Sequence, residues 1–380
     1  MPKKLLIVSH TEHYQRGSKV VGWGPTIREI SHLATLFDEV VHVAPLHAGK
    51  GPASCIGYDC DHIRHVAVKP AGGASLSDKL GIIATIPQYA RAILRELSQA
   101  DVVHVRCPAN ISLVALLLLA FTRKPRVRWI KYAGNWQPDR KEAWSYTFQR
   151  WWLKRNFARA KVTVNGEWPH QPAHIHPFLN PCLTDDEIND ANCAATDKNL
   201  TSPLQLVFVG RLEDAKGVST ALQVAAKLHE AGIPFVFDLI GDGPARQDYE
   251  RWVAARSLDR QIIFHGWLPR PDLAHFYSQA HFLLLPTYSS EGWPKVISEA
   301  MAYGVVPIAG AVSSIPQYLK RFETGRAITP EDSSCFFEAI VWYTQNPAEW
   351  KREAQNAATA AQRFTYSSYL SSVRKLLGIE

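Results

Sequence analysis

Short apolar runs alternate with helix-like segments along the second half of the chain, and this alternation restricts the fold more than any other feature. Runs typical of buried strands lie at 204–209, 235–240, 262–264, 282–285 and 306–309. Segments with helical periodicity separate them at 218–231, 248–256, 272–278 and 295–303. Parallel strands need long crossover connections, which are usually helices. We therefore predict an α/β domain with a doubly wound parallel sheet over 204–360.

The first part of the chain shows the same alternation, so two domains are predicted. Its candidate strands and helices lie at 5–9, 27–37, 40–44, 83–98, 102–105, 111–122 and 127–132. A chain of 380 residues is also too long for one ordinary core. We predict a Rossmann-like domain over 1–185, a linker over 186–203 and a last segment, 361–380, that packs back on the first domain. Ligands of open α/β sheets bind at the carboxyl ends of the strands, so the two domains are predicted to face a cleft.

Two glutamates flank the predicted start of a helix in the second domain. Glu291 precedes a Gly-Trp-Pro turn, and Pro294 suits the first helical position because its missing N–H costs nothing there. Glu299 then lies roughly 7.5 Å along the axis. Free N–H groups at the helix start favour phosphate, whereas carboxylates accept hydrogen bonds from sugar hydroxyls. A ligand with hydroxyl-rich rings on both sides of a phosphate group, such as a sugar nucleotide, would satisfy this arrangement.

A glycine and two cations follow the first predicted strand of this domain. Gly210 lets the backbone approach a ligand, and Arg211 and Lys216 together could clamp a diphosphate. The alternative is a turn that carries two solvated cations, which is the usual state of exposed charges. The pattern alone leaves both interpretations open.

Four motifs occur in order at predicted strand ends, at 210–217, 240–244, 264–268 and 291–304. In this order they resemble the retaining glycosyltransferases of the GT-B fold, in family 4 of the sequence classification, whose hallmark is the Glu-x7-Glu element. The resemblance implies that Arg211 and Lys216 neutralise the diphosphate of the donor. It further implies that Glu291 binds hydroxyls of the transferred sugar and that Glu299 binds the ribose hydroxyls.

The same resemblance supplies the remaining donor-site residues. The complete predicted set is Gly22, Gly24, Gly210, Arg211, Lys216, Glu291, Gly292, Trp293, Lys295 and Glu299. Arg211, Lys216 and Glu291 are the predicted catalytic residues, and backbone N–H groups around Gly292, Trp293 and Lys295 are predicted to contact the sugar or phosphate. The segment 264–268 is predicted to hold the base. Gly22 and Gly24 match the family's glycine-rich loop beneath the diphosphate, although a tight bend before the next helix explains them equally well.

The chain departs from the family pattern at several positions. Pro294 stands where many members have glycine, which removes one N–H donor. The usual Gly-Gly and Glu of the following segment are Ser313, Ser314 and Gln317. The family's His-Gly near the reacting sugar is replaced by Ala133 and Gly134. The residues predicted to act on the acceptor side are Lys131, Asn135 and His104, although a single histidine at a strand end is more often structural.

The resemblance implies a retaining, hexosyltransferase-type enzyme that moves a sugar from a nucleoside-diphosphate sugar to the hydroxyl of a saccharide, lipid-linked or other acceptor. Its role would be the synthesis of cell-surface polysaccharide or glycolipid, without nucleic acid, cofactor or metal. Asp59 and Asp61 match an Asp-x-Asp metal motif, but that motif is short enough to arise by chance. Two alternatives stay open. One is a sugar-nucleotide epimerase of the same fold, and the other is a catalytically weak nucleotide-binding partner protein.

The composition predicts a cytoplasmic location. The 6 cysteines form no Cys-x-x-Cys pair, which is typical of reduced thiols in the cytosol. The apolar run among the first residues is too short for a signal peptide, and the longest apolar stretch, 111–121, is shorter than the ~20 residues that span a bilayer. A net charge of +7 suits anionic small molecules, membrane surfaces and nucleic acids alike.

Aromatic and basic residues interleave over 144–161. The basic members are Arg150, Lys154, Arg155, Arg159 and Lys161. One interpretation is an interfacial helix that touches the inner face of an anionic membrane. The other is a helix packed on the first domain, with cations at its edge.

Overall fold

The structure is a computed structural model that describes residues 3–72, 76–138 and 140–379. It divides into two compact units. The first unit runs to Phe178 and resumes at Ser368, and the second unit spans Leu179–Ser367. Residues 1–2, 73–75 and 139 of the predicted first domain and residue 380 of the predicted last segment lie outside the described residues. In the described part of the chain, every helix is too short or too polar to span a bilayer.

The first unit is built on one mostly parallel sheet. Its strands are β1 (Lys4–Val8), β2 (His13–Arg16), β3 (Lys19–Trp23), β4 (Glu39–His47), β5 (Cys55–Gly57), β6 (Ile63–Val68), β7 (Val102–Cys107), β8 (Val127–Tyr132), β9 (Lys161–Val164) and β10 (Ile175–Pro177). Its first helices are α1 (Gly24–Ala34), α2 (Leu76–Leu97), α3 (Asn110–Phe121) and α4 (Trp144–Lys154). The sheet order is β10-β9-β8-β7-β1-β4-β2-β3-β5, with β6 also paired to β4. The strand order therefore reverses between β1 and β7.

The second unit contains a parallel sheet of six strands. They are β11 (Leu204–Val209), β12 (Phe235–Ile240), β13 (Ile262–Gly266), β14 (Phe282–Leu285), β15 (Val306–Gly310) and β16 (Arg326–Ile328). The helices from here to the end of the chain are α5 (Asp185–Thr196), α6 (Val218–Glu230), α7 (Arg246–Ala254), α8 (Arg270–Gln279), α9 (Lys295–Ala302), α10 (Ile315–Arg321), α11 (Ser333–Gln345), α12 (Pro347–Ala361) and α13 (Tyr366–Leu377). The order β13-β12-β11-β14-β15-β16 reverses between β11 and β14. The predicted fold class, α/β with two doubly wound sheets, is confirmed.

The predicted linker at 186–203 differs from the structure, because most of it is helical. Helix α5 starts at a capping box in which the Thr184 side chain accepts from the Glu187 N–H and the Glu187 carboxylate accepts from the Thr184 N–H. Ile188 and Ala191 of this helix pack into the core of the second unit. So few apolar residues lie on α5 that its sequence resembles a loop. The second unit therefore begins before the predicted boundary.

The last helix completes the core of the first unit. Tyr369, Val373 and Leu377 of α13 pack in one buried cluster with Leu5 of β1 and Trp129 of β8. The first unit thus combines the start and the end of the described chain, whereas the second unit is a single continuous segment.

Candidate functional site

Two loops of the second unit approach each other where the order of its strands reverses, the place where open α/β sheets bind ligands. One follows β11 and the other follows β14. Gly217 has a φ of +76°, and a Cβ atom there would lie only 2.0 Å from the Pro286 carbonyl oxygen. The Tyr288 N–H also donates to the Ala215 carbonyl over 3.1 Å. The approach of the loops therefore requires glycine at position 217.

This approach places Lys216 and Glu291 in an ion pair. The Lys216 side chain is 16% exposed and the Glu291 side chain 40% exposed, so both remain within reach of a ligand. A partly exposed pair of this kind adds little to stability. The structure thus brings together two of the three predicted catalytic residues, one from each side of the strand reversal.

Arg211, the third predicted catalytic residue, has a different partner. Its guanidinium forms an ion pair with Glu213 at 3.2 Å, and its side chain is 66% exposed. The preceding Gly210 is fixed, because its N–H donates to the Ile240 carbonyl and a Cβ atom at Gly241 would lie 1.8 Å from its carbonyl oxygen. Arg211 therefore extends toward solvent from a rigid base.

In the segment after Glu291, Pro294 is not the first helical residue, in contrast to the prediction. Pro294 is the residue before the helix, with a ψ of 122°, and α9 begins at Lys295. The Trp293 side chain is buried, stacks on Phe364 at 5.5 Å and donates from its indole N–H to Ser298 Oγ over 2.8 Å. Trp293 can therefore offer a ligand only its backbone, and contact of that backbone with the sugar or phosphate stays a prediction.

A serine to which the sequence assigned no role holds Gly292. The buried Ser314 hydroxyl donates to the Gly292 carbonyl over 2.6 Å. The loops after β14 and β15 also touch near their start, since a Cβ atom at Gly310 would lie 2.1 Å from the Thr287 carbonyl oxygen. The loop after β15 thus supports the loop that carries Glu291.

Glu299, predicted to bind ribose, is buried and has a protein partner. Its carboxylate forms an ion pair with Arg270 and lies 3.5 Å from the Tyr277 hydroxyl. Burial and the neighbouring Glu299 raise the pKa of Tyr277 well above its ordinary value, so this hydroxyl stays protonated and donates. The structure therefore does not place Glu299 beside Glu291 as a second open carboxylate.

Arg270 connects Glu299 to the start of α5. Its guanidinium also binds Glu187 at 2.9 Å and the Cys182 carbonyl at 2.5 Å. Burial alone would lower the pKa of Arg270, but the carboxylates of Glu299 and Glu187 raise it above its ordinary value. The capping-box pattern of Thr184 and Glu187 is the sequence signal that could have located this group.

The segment predicted to hold the base lies at the end of β13. His265 Nε2 lies 2.7 Å from an oxygen of Asp238, and Trp267 is 45% exposed. Gly266 has a φ of +71°, and a Cβ atom there would lie 2.9 Å from the Arg246 guanidinium. Among the described residues, no three histidine, cysteine, aspartate or glutamate side chains are grouped to hold a metal ion.

The predicted acceptor-side residues lie in the first unit and are buried. Lys131 binds Glu29 at 2.6 Å, and Arg106 binds the same carboxylate oxygen at 2.7 Å. His104 stacks on Trp129 at 3.8 Å, and burial lowers its pKa well below the ordinary value, so it stays neutral.

Asn135 is also buried, and its side-chain oxygen accepts from the Gln137 N–H over 3.1 Å. The structure therefore gives Lys131, His104 and Asn135 internal contacts, in contrast to the open positions that acceptor recognition requires.

Packing within the first unit explains why positions 22 and 24 carry glycine. Gly22 lies in β3 opposite His13, and a Cβ atom there would lie 2.8 Å from the His13 ring. Gly24 starts α1, where a Cβ atom would lie 2.6 Å from the Ser54 carbonyl oxygen. The predicted turn is thus a junction between strand and helix, and contact with a diphosphate stays a prediction.

Comparison with known proteins supports the interpretation of the second unit. The family described as glycosyl transferases group 1 matches residues 195–363. Alpha-D-kanosaminyltransferase of Streptomyces kanamyceticus is 27% identical over 211 residues, which cover 54% of this chain and 52% of the relative. The putative colanic acid biosynthesis glycosyltransferase WcaL of Escherichia coli is 24% identical over 149 residues, or 38% of this chain and 37% of the relative. The chain thus spans about half or less of the length of these curated relatives.

The fold has counterparts among solved structures. The structure of HepE from Anabaena, solved in complex with UDP and glucose, superposes with a TM-score of 0.65 at 16% identity and covers 100% of both chains. At this identity the likeness establishes the fold alone. The fold is supported by the two doubly wound sheets and by this superposition, and the family match lies over the second sheet. The chain has the GT-B fold, and its residues 195–363 match the family of glycosyl transferases group 1.

Proposed function

We propose that this protein is a retaining glycosyltransferase that moves a sugar from a nucleoside-diphosphate sugar to an acceptor hydroxyl. The observation that carries the proposal is the ion pair of Lys216 and Glu291 at the strand reversal of the second sheet. A diphosphate requires a cation and a sugar ring requires a hydrogen-bond acceptor, and this pair supplies one of each. Binding of the donor would separate the pair, because Lys216 would turn to phosphate and Glu291 to sugar hydroxyls.

The reaction then needs little covalent chemistry from the protein. The bond from the anomeric carbon to the diphosphate oxygen breaks, a bond to the acceptor oxygen forms on the same face, and the acceptor proton passes to an oxygen of the leaving diphosphate. Lys216, joined by the exposed Arg211, would stabilise the charge that develops on this leaving group. Alignment of donor and acceptor supplies most of the remaining rate. These cations can balance the diphosphate charge, so the proposal requires no metal ion.

The named relatives suggest a biological setting. WcaL carries the name of an enzyme of colanic acid biosynthesis, and colanic acid is a polysaccharide. We therefore propose a role in the synthesis of cell-surface polysaccharide or glycolipid, with a saccharide or lipid-linked acceptor. We also propose a cytoplasmic location, since all six cysteines are free thiols.

A panel of nucleoside diphosphates and their sugars tests the proposed function. We expect one sugar nucleotide to raise the melting temperature, since a ligand present at ~100 times its Kd adds about 2.7 kcal/mol of stability. The same compound should act as donor when saccharide and lipid-linked acceptors are added, with retention of the anomeric configuration by NMR. Conversion of the donor to an epimer without acceptor would instead support the epimerase, and binding without transfer or donor hydrolysis would support the partner protein.

We further propose that the first unit contacts an anionic membrane through a surface on α4 and the residues after it. This α4 surface comprises Trp144, Trp151, Lys154, Arg155, Phe157 and Arg159. The three aromatic side chains are 75%, 47% and 41% exposed, respectively. Exposed aromatic groups beside cations match the interface of a bilayer that contains anionic lipids.

Two of the basic residues in the segment 144–161 have partners within the protein. Arg150 is buried and binds Glu142 and the Tyr132 hydroxyl, and Lys161 donates to the Leu376 carbonyl. Arg150 is therefore unavailable to a membrane, and the exposed Lys161 already has an internal partner for its ammonium group. The Arg159 guanidinium reaches the Ala120 carbonyl at 3.4 Å, which links the α4 surface to Phe121, an aromatic residue that is 87% exposed.

Co-sedimentation with vesicles tests the membrane contact. We expect binding to vesicles that contain phosphatidylglycerol and weaker binding to pure phosphatidylcholine. The combined change Trp151→Ser, Lys154→Gln and Arg155→Gln should abolish binding. A matched control, Trp342→Ser with Lys320→Gln and Arg363→Gln, alters exposed residues of the second unit and should retain it. Equal binding by both triple variants, or no binding of the wild type, would refute the proposal.

A further inference from the structure

Ser313 lies in the loop after β15 with a backbone conformation that serine rarely adopts. Its φ is +50°, in the left-handed region where a Cβ atom costs free energy. The resemblance to retaining GT-B glycosyltransferases implies glycine at this point of the segment, and glycine would fit that conformation without strain. The chain therefore retains a side chain where its backbone favours none, and a residue held in this way is a candidate for a role at a ligand site.

The Ser313 hydroxyl is buried without a hydrogen-bond partner among the described residues. Buried polar groups are nearly always paired, so an unpaired one needs an explanation, such as a ligand that completes it. A ligand bound by the Ser313 hydroxyl would account both for its backbone conformation and for its unpaired hydroxyl. The neighbouring Ser314 differs, because its hydroxyl is used within the protein.

The residues next to Ser313 in the chain indicate which part of the proposed ligand its hydroxyl would meet. Ser314 holds the carbonyl of Gly292, and Gly292 directly follows Glu291, the residue proposed to bind the transferred sugar. The two loops are therefore in contact at the sugar end of the proposed site. A neutral hydroxyl both donates and accepts, which suits a sugar hydroxyl better than a phosphate oxygen, for which the site already has Lys216.

We propose that the Ser313 hydroxyl forms a hydrogen bond with a hydroxyl group of the transferred sugar and so selects among donor sugars. This inference rests on the proposed function. It assigns to one residue a discrimination that a glycine at the same position cannot perform. A site that bonds a substrate hydroxyl discriminates against analogues that lack it, because its own polar group is then left unpaired.

Binding measurements on two variants test this assignment. Ser313→Gly removes the hydroxyl and relieves the strain, whereas Ser313→Ala removes the hydroxyl and keeps the strain. The ligands are the preferred donor from the panel above, its deoxy-sugar analogues and the free nucleoside diphosphate. We expect both variants to bind the donor about 3- to 10-fold more weakly than the wild type, the size of one hydrogen bond. Their affinity for the free nucleoside diphosphate should not change.

The deoxy analogues locate the contact, and a second serine provides the control. One analogue should bind the wild type more weakly than the parent donor but bind both Ser313 variants as well as the parent does. Ser257 is also a serine of the second unit with positive φ, +55°, but it is exposed. Ser257→Gly should raise the melting temperature as Ser313→Gly does and leave all affinities unchanged.

Each other outcome has a distinct meaning. If the Ser313 variants bind the donor and every analogue as the wild type does, this inference is wrong and the proposed function stands. If they lose equal affinity for the free nucleoside diphosphate, Ser313 contacts phosphate, which also overturns the inference. If the wild type binds no sugar nucleotide, the proposed function fails and the inference fails with it.

Discussion

Replacement of Lys216 by alanine, or of Glu291 by glutamine, is expected to lower the rate of sugar transfer by about 100- to 1,000-fold, the usual effect of removing one group that stabilises a transition state. The fold should persist, because the two side chains are partly exposed and their ion pair adds at most ~1 kcal/mol. Steady-state kinetics with the preferred donor measure the first effect, and thermal unfolding measures the second.

The chain offers a closely matched control for these variants. Lys4 and Glu39 of the first unit also form a lysine–glutamate pair, at 2.9 Å, with exposed fractions of 14% and 46%. The Lys216–Glu291 pair has fractions of 16% and 40%. Lys4→Ala and Glu39→Gln should therefore change stability by a similar small amount and leave transfer intact. Normal turnover of the Lys216 and Glu291 variants would remove the basis of the proposed function.

Replacement of Gly217 by alanine should both destabilise the second unit and inactivate the protein. The added Cβ atom would lie 2.0 Å from the Pro286 carbonyl oxygen, so the loops that carry Lys216 and Glu291 would have to separate. We expect a loss of about 1–2 kcal/mol from the left-handed backbone and a further ~1–3 kcal/mol from the clash. Denaturant unfolding gives the stability change, and residual transfer gives the functional one.

Gly232→Ala separates the two contributions. Gly232 has a φ of +68°, close to the +76° of Gly217, but no atom lies within 4 Å of the Cβ position. This variant should show the backbone cost alone and keep full activity. If Gly217→Ala and Gly232→Ala have the same stability and turnover, the close approach of the two loops does not matter for function.

Local patterns predicted the strands of the second unit well, because each is a short apolar run buried in a parallel sheet. The observed bounds of β11, β12 and β14 equal the predicted 204–209, 235–240 and 282–285. Helix α5 was not predicted, because it has few buried residues, among them Ile188 and Ala191, and its apolar periodicity is therefore weak. Its capping box was present in the sequence, but the surrounding polar residues concealed it.

The candidate site was predictable only where one loop or one strand end determines it. The motifs predicted Lys216 and Glu291 as site residues, and the fold brings their side chains into an ion pair. The partner of Glu299 was not predictable, since Arg270 lies on another helix and only the packing of the second unit brings the two together. Burial of Lys131, Asn135 and His104 likewise depends on neighbours from distant strands and helices, which no local pattern contains.

The division of the first unit between the two ends of the described chain has a consequence for the order of synthesis. Leu5 and Trp129 leave the ribosome early, yet Val373 and Leu377, which cover them, follow only after the entire second unit. At ~5–20 residues per second, that interval lasts on the order of ten seconds or longer. During translation the nascent first unit therefore presents an apolar face that nothing from α13 can shield, while the second unit has all of its own residues once Ser367 has emerged.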